Sequence, residues 1–380
     1  MMEVVPESLY KEVRASSCTA RLRHSSSRDK AHLFEIFSMG NQNIVSIAAM
    51  VALILGAFVA IPTGAQLIGV CYGMGGNNLP QPRDVVNLYE SKNLKAMRLF
   101  EPNQHVLQAL KGSNIQLTLG VPNADLQSLA SNRSAANGWV RKYVKAYSSG
   151  VSFKYIAVGN RAIPGNQAQY VLPAMRSIHS ALSSAGLQNQ IKVSTSIATG
   201  REVLEQYSPP SSGRFSSGAA RHLRAIVRFL ANNRAPLLIN VYPYRSYVGD
   251  PNHVGPDHPF FNSSRIVIQD GPYGYQNLFD AIVDAVYVAS EKVGGPNLMV
   301  VVSESGWPSA GGFGATKEHA RRYNQNLINH VGQGTPRRLW KSLETYVFEM
   351  FNENQKPRGA EQHFGMFHPN MQPVYPINFN

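Results

Sequence analysis

From residue 66 onward the chain repeats one unit: a short apolar run, a loop rich in Gly, Pro or Asn, then a stretch whose apolar residues recur three and four apart. The apolar runs are 68–72 (IGVCY), 95–100 (KAMRLF), 115–121 (IQLTLGV), 153–159 (FKYIAVG), 191–197 (IKVSTSI), 236–242 (PLLINVY), 297–303 (NLMVVVS) and 344–351 (ETYVFEMF). Parallel strands need crossover helices, and near-continuous apolar strands need both faces covered. Eight such alternations over about 310 residues therefore predict an α/β fold, a (β/α)8 TIM barrel spanning residues 66–380. The alternative is an open doubly wound sheet. It calls for a G-x-G-x-x-G turn after the first strand, and GMGGNN at 73–78 has the glycines without that spacing.

The helical stretches include 82–92, 135–149, 168–185, 275–293 and 316–331. Pro82 suits a first helical turn, and Asn103 suits the cap of the following helix. One connection is out of proportion. Residues 243–274 are rich in Pro, Gly, Asp and aromatics and too long for a bare loop, so a small subdomain is expected after the sixth strand.

The longest apolar run, 44–61, precedes small residues and lies ahead of the barrel. It reads as the core of a signal peptide over 39–65, with cleavage after Ala65, and not as a stable membrane anchor. Residues 1–38 form an N-terminal extension that a mis-called start would explain; a plastid-type transit segment is the competing account. No hydrophobic C-terminal tail of the GPI type follows the barrel, so secretion to the cell wall or apoplast is expected, with the vacuole as alternative. Two cysteines, Cys18 and Cys71, exclude a disulfide scaffold and a thiolate zinc site, and Cys71 within an apolar strand reads as a small core residue. The 36 Lys and Arg against 23 Asp and Glu are scattered, which argues against a nucleic-acid partner.

In such barrels the chemistry sits at the C-terminal ends of the strands. The residues there are Tyr72, Arg98 to Glu101, Asn160 and Arg161, Thr195, Tyr242 and Tyr244, Glu304 and Trp307, and Glu349 and Glu353. Aromatics that stack on sugar rings, amides that bind hydroxyls and carboxylates that attack or protonate suit a carbohydrate. No His-x-x-x-His spacing, calcium loop or G-x-S-x-G elbow occurs, so neither metal, cofactor nor serine nucleophile is expected. Glu304, at the mouth of a strand beside Trp307, is the foremost candidate.

IGVCYGMGGNNLP (68–80), KAMRLFEPN (95–103), YIAVGN (155–160), NVYPY (240–244), VVVSESGWPSAGG (300–312) and FEMFNENQK (348–356) resemble the plant endo-1,3-β-glucanases of glycoside hydrolase family 17. The likeness spans essentially residues 66–380. It implies a retaining glycosidase acting on β-glucan, with Glu304 as nucleophile and Glu353, Lys356 and Glu361 as supporting residues of the cleft. Tyr72, Asn160, Tyr242 and Trp307 are expected to bind substrate.

Where the family pattern reads Val-Gly-Asn-Glu, this chain reads Val158, Gly159, Asn160, Arg161. The general acid position thus holds an arginine, whose guanidinium stays charged and cannot donate a proton to a leaving group. Hydrolysis is expected to be severely impaired, and Arg161 is expected to pair with Glu304. Phe100 where the resemblance implies Tyr, and Arg245 where it implies an aromatic, depart in the same direction. A β-glucan-binding pseudoenzyme is the second reading, and a monomer is expected. Asn132 and Asn262 open N-glycosylation sequons.

Overall fold

The computed structural model describes residues 68–249 and 258–379, all within one unit, Thr63–Asn380. The expected extension 1–38, the expected leader 39–65 and Cys18 lie outside the described residues.

Eight parallel strands close into a barrel: β1 (Ile68–Tyr72), β2 (Ala96–Leu99), β3 (Gln116–Val121), β4 (Ser152–Asn160), β5 (Lys192–Ala198), β6 (Leu237–Asn240), β7 (Val300–Ser305) and β8 (Thr345–Val347). They follow one another around the barrel in chain order, and β8 pairs with β1 through Ile68 opposite Thr345 to close it. Each coincides with an apolar run of the sequence, because strands covered on both faces leave few places for polar side chains. The eighth ends earlier than its run. Past Val347 the backbone leaves the ladder: Phe348 N–H donates to the Ser305 carbonyl (2.8 Å) and Glu349 N–H to that of Phe364 (3.2 Å).

Nine α-helices accompany the strands among the described residues: α1 (Pro82–Ser91), α2 (Gln104–Ala109), α3 (Leu126–Ser131), α4 (Arg133–Val140), α5 (Ala168–Ser184), α6 (Ser217–Asn232), α7 (Pro243–Gly249), α8 (Leu278–Lys292) and α9 (Lys317–His330). Pro82 opens α1, and the Asn103 side chain accepts from the His105 and Val106 amides at the start of α2. The stretch expected to run helical from 135 begins earlier, because Asn132 caps α4 by accepting from Ser134 and Ala135 N–H. Its carboxamide oxygen is thus engaged, while the residue itself remains exposed, as does Asn262. No described helix is long and apolar enough to cross a membrane.

Residues 243–274 carry α7, a short turn at His258–Phe260 and the strand Ile268–Asp270, which pairs with Tyr273–Tyr275. A second hairpin, Gly334–Thr335 with Arg338–Leu339, follows α9. Both hairpins are tied to α8 by the buried Asp284, which accepts from Tyr275 OH (3.0 Å), Thr335 Oγ1 (2.5 Å) and Arg337 N–H (3.1 Å). Coverage on several sides explains why α8 is apolar nearly all round.

The barrel interior is filled in layers. At one level the Tyr346 ring occupies the space beside Gly69, where a β-carbon would sit 2.4 Å from it, and its hydroxyl meets Thr118 Oγ1 at 3.0 Å. Nearer the C-terminal mouth the layer is polar: Arg98, Ser196, Asn240, Ser303 and Glu304 are all buried there. The ladder registers shift at this end, between Ala157 and Asn160 on β4 and between Val302 and Glu304 on β7. Such irregularities re-aim side chains, and here they fall on the two strands that supply Asn160 and Glu304.

Candidate active site

Glu304 is 3% exposed at the end of β7. Its Oε1 accepts from Arg98 Nη1 (2.9 Å) and Asn160 Nδ2 (3.1 Å), and its Oε2 from Tyr242 OH (2.9 Å). Each donor is itself held. Arg98 Nη1 also reaches the Ser303 carbonyl (2.6 Å), its Nη2 reaches Ser196 Oγ (3.0 Å), and its guanidinium lies over the Phe100 ring at 4.6 Å. Asn160 Oδ1 accepts from Asn240 Nδ2 (2.9 Å), while its backbone is clamped by the Asn123 side chain on both N–H and carbonyl. Burial, with the Glu304 charge adding to it, pushes the Tyr242 phenol well up, so it stays a donor. A carboxylate fixed in this way is oriented for attack on an electrophilic carbon.

The partner expected for Glu304 was Arg161, and the structure corrects this. Arg98 makes the ion pair, because β2 directs its side chain into the barrel, where it is 1% exposed. Arg161 follows Gly159 (φ 77°) and takes a left-handed backbone itself (φ 55°), with its N–H on the Ser196 carbonyl at 2.8 Å. That conformation turns it out of the ladder. It is exposed and has no ion pair among the described residues.

A second charged group stands at the end of β8. Lys356 Nζ lies 2.5 and 2.7 Å from the two oxygens of Glu349 and 2.7 Å from Glu353 Oε2, while Glu353 Oε1 accepts from Gly75 N–H at 3.0 Å. Glu349 is fully buried; burial and then the Glu353 charge raise its carboxyl well above the usual range, against the opposing Lys356. Burial disfavours the Lys356 charge, but Glu349 and Glu353 override it and raise its pKa. The ammonium lies 4.5 Å from the Phe348 ring, which meets Tyr242 edge-on at 6.0 Å, so this group adjoins the Glu304 network.

Glu353 and Lys356 are thus brought together, but Glu361 is not among them. It pairs with Arg245 at 3.4 Å, both about half exposed. Two aromatic expectations are also corrected. Trp307 is completely buried: its Nε1–H donates to the Gly314 carbonyl (2.9 Å), and Phe260, Tyr244 and Tyr323 pack on it at 4.6, 5.0 and 5.5 Å. With Phe260 of the 243–274 segment over it, no ring face is left for a sugar. Tyr72 is 1% exposed, edge-on to Phe351, and burial followed by the Glu353 charge pushes its phenol to about 12. It belongs to the floor. Cys71 is buried too, its Sγ 3.4 Å from the Ser303 carbonyl.

Sequence reasoning gave no role to Arg98, Asn240 or Glu349. The available signal was a polar residue inside an otherwise apolar run, as in KAMRLF, PLLINVY and ETYVFEMF.

The sequence profile described as "Glycosyl hydrolases family 17" matches residues 68–379. A glucan endo-1,3-beta-glucosidase of Vitis vinifera is 54% identical over 87% of this chain and 97% of its own length. Lichenase-2 of Hordeum vulgare is 49% identical over 84% of this chain and all of its own. Among solved structures, one of two plant beta-glucan endohydrolases with distinct substrate specificities superposes with a TM-score of 0.79 at 50% identity, covering 82% of this chain and 100% of that one. CJP38, a beta-1,3-glucanase and allergen of Cryptomeria japonica pollen, gives 0.80 at 46% identity, covering 83% and 99%.

Proposed function

Because the chain belongs to glycosyl hydrolase family 17, we propose that its barrel mouth binds 1,3-β-glucan and keeps the nucleophile of a retaining endo-glycosidase, while hydrolysis is severely impaired at the acid position. The observation that carries this reading is the contrast between the last residue of β4 and the one that follows it. Asn160 donates to Glu304, and the next residue is an exposed arginine.

In a retaining mechanism the Glu304 carboxylate would attack the anomeric carbon as the glycosidic C–O bond breaks, and a second carboxyl about 5–5.5 Å away would protonate the departing oxygen. Arg161 has no proton to give at any working pH, nor can it act as base towards water when the glycosyl-enzyme is hydrolysed. Losing general acid catalysis costs roughly 10²–10⁴-fold in rate. Glu349 is fully buried with both oxygens on Lys356, so it is not placed to reach a glycosidic oxygen. The likeness to glucan endo-1,3-beta-glucosidases supports 1,3-β-glucan as ligand, and Glu353 and Lys356 support the cleft from its floor.

The second reading is a glucan-binding protein without turnover, favoured by the same arginine. Laminarin turnover set against retention on insoluble β-glucan separates the two. Measurable turnover that depends on Glu304 supports the first, and retention with no turnover supports the second. Failure of both removes the glucan reading. We further propose that residues 39–65 direct secretion to the cell wall or apoplast and that the mature chain is monomeric. A tagged chain started at Met39 that remains in the cytosol would count against the secretion.

A further inference from the structure

Beside Glu304, on the Arg161 side, lies a cavity of about 230 Å³ whose walls include Arg161, Thr199, Glu202, Asn240, Tyr242 and Arg245. Tyr242, through its hydroxyl on Glu304, places this space directly next to the nucleophile. A neighbouring cavity of about 690 Å³ shares Thr199 and Arg245 with it and adds Arg201. Among the described residues that line the two cavities, three are arginines, Arg161, Arg201 and Arg245, and one is acidic, Glu202.

The pairing of these groups sharpens the imbalance. Among the described residues Arg161 and Arg201 have no ion pair, and Arg245 has only the 3.4 Å contact with half-exposed Glu361. Arg245 is also set in place, with its guanidinium 5.4 Å from the Tyr242 ring. A neutral glucan offers hydroxyls to such groups but leaves their charge unanswered. A carboxylate answers it with two parallel N–H···O bonds to one guanidinium, and concave walls strengthen the field that draws it in.

We infer that this side of the cleft accepts a β-glucan chain carrying carboxylate groups, a glucuronate in place of a glucose, and prefers it to the neutral chain. The inference rests on the glucan-binding reading above and narrows its substrate class. Arg161 then has a role in binding that its inability to donate a proton does not touch.

The test uses 1,3-β-glucan oligosaccharides of one length, either neutral or partly oxidised at C6 to the carboxylate, with dextran sulfate as a polyanion lacking the β-glucan backbone. Titration calorimetry on the whole barrel at low salt is expected to give about tenfold tighter binding of the oxidised oligosaccharide, a gap that narrows as salt is raised. Arg161→Gln and Arg245→Gln should each shrink the gap, and Arg161→Lys should restore part of it. Equal or tighter binding of the neutral oligosaccharide overturns the inference and leaves the glucan reading standing. So does a preference that survives in the double Gln variant, or dextran sulfate binding as tightly as the oxidised glucan. Binding of neither oligosaccharide overturns both.

Discussion

Replacing Arg161 by Glu returns a titratable proton to the residue after Asn160, and laminarin hydrolysis is expected to rise by at least about 10²-fold. Arg161→Gln supplies no proton and should leave hydrolysis low, so the pair of variants separates proton donation from loss of the cation. Wild-type rates already equal to those of Arg161→Glu would remove position 161 from the chemistry. The proposed role of Glu304 as nucleophile can be probed independently. A glucosyl fluoride or dinitrophenyl glucoside needs no protonation of its leaving group, so it should load a covalent glycosyl adduct onto wild type but not onto Glu304→Ala, read by intact mass. Arg98 carries a different prediction. Arg98→Met leaves a buried carboxylate without its cation and should cost about 3–5 kcal/mol in denaturant unfolding, much of it recovered by adding Glu304→Gln. No recovery in the double variant would mean that packing, not the ion pair, sets the cost. Of these residues Glu304 was legible from its place after an apolar run. The role of Arg98 was not, since its partner lies 206 residues further along the chain.

At the scale of elements, caps and apolar periodicity are local and were readable, as Pro82 and Asn103 illustrate. The hairpins that fasten α8 were not, because their anchor is a buried Asp284 reached from Tyr275 on one side and Thr335 on the other. Burial lifts its carboxyl from 3.8 to about 6, against the lowering effect of its hydrogen bonds. A folded-state pKa above the unfolded one means that the folded chain binds the extra proton. The associated stability is full below about pH 3.8 and is lost as pH rises through about 6, an effect on the order of 2–3 kcal/mol. Asp284→Asn keeps one acceptor oxygen for Tyr275 and the Arg337 N–H, turns its NH2 towards the Thr335 hydroxyl, which can accept, and has nothing to titrate. The melting temperature of the variant relative to wild type should therefore rise between pH 4 and 6, and a difference independent of pH would contradict the assignment.

On the scale of the whole molecule, closure depends on the last strand. β8 lies between β7 and β1, so removing residues 344–380 leaves two edges open and takes Tyr346 from the interior. Such a truncation is expected to lose cooperative thermal unfolding, monitored by near-ultraviolet circular dichroism. A sharp transition in the truncated chain would show that seven strands suffice. The eight alternations of strand and helix, and with them the barrel and the mouth at which its chemistry collects, were determined by the sequence, since both follow from periodicity within a few residues. So was the presence of an arginine directly after Asn160. Tertiary structure alone decided which arginine meets Glu304, that Trp307 is sealed beneath Phe260, that Glu361 joins Arg245 and not Lys356, and that Glu349 is buried against Lys356. Each of those outcomes depends on burial and on partners distant along the chain, and a side chain's charge and reach are set by what surrounds it once the barrel has closed.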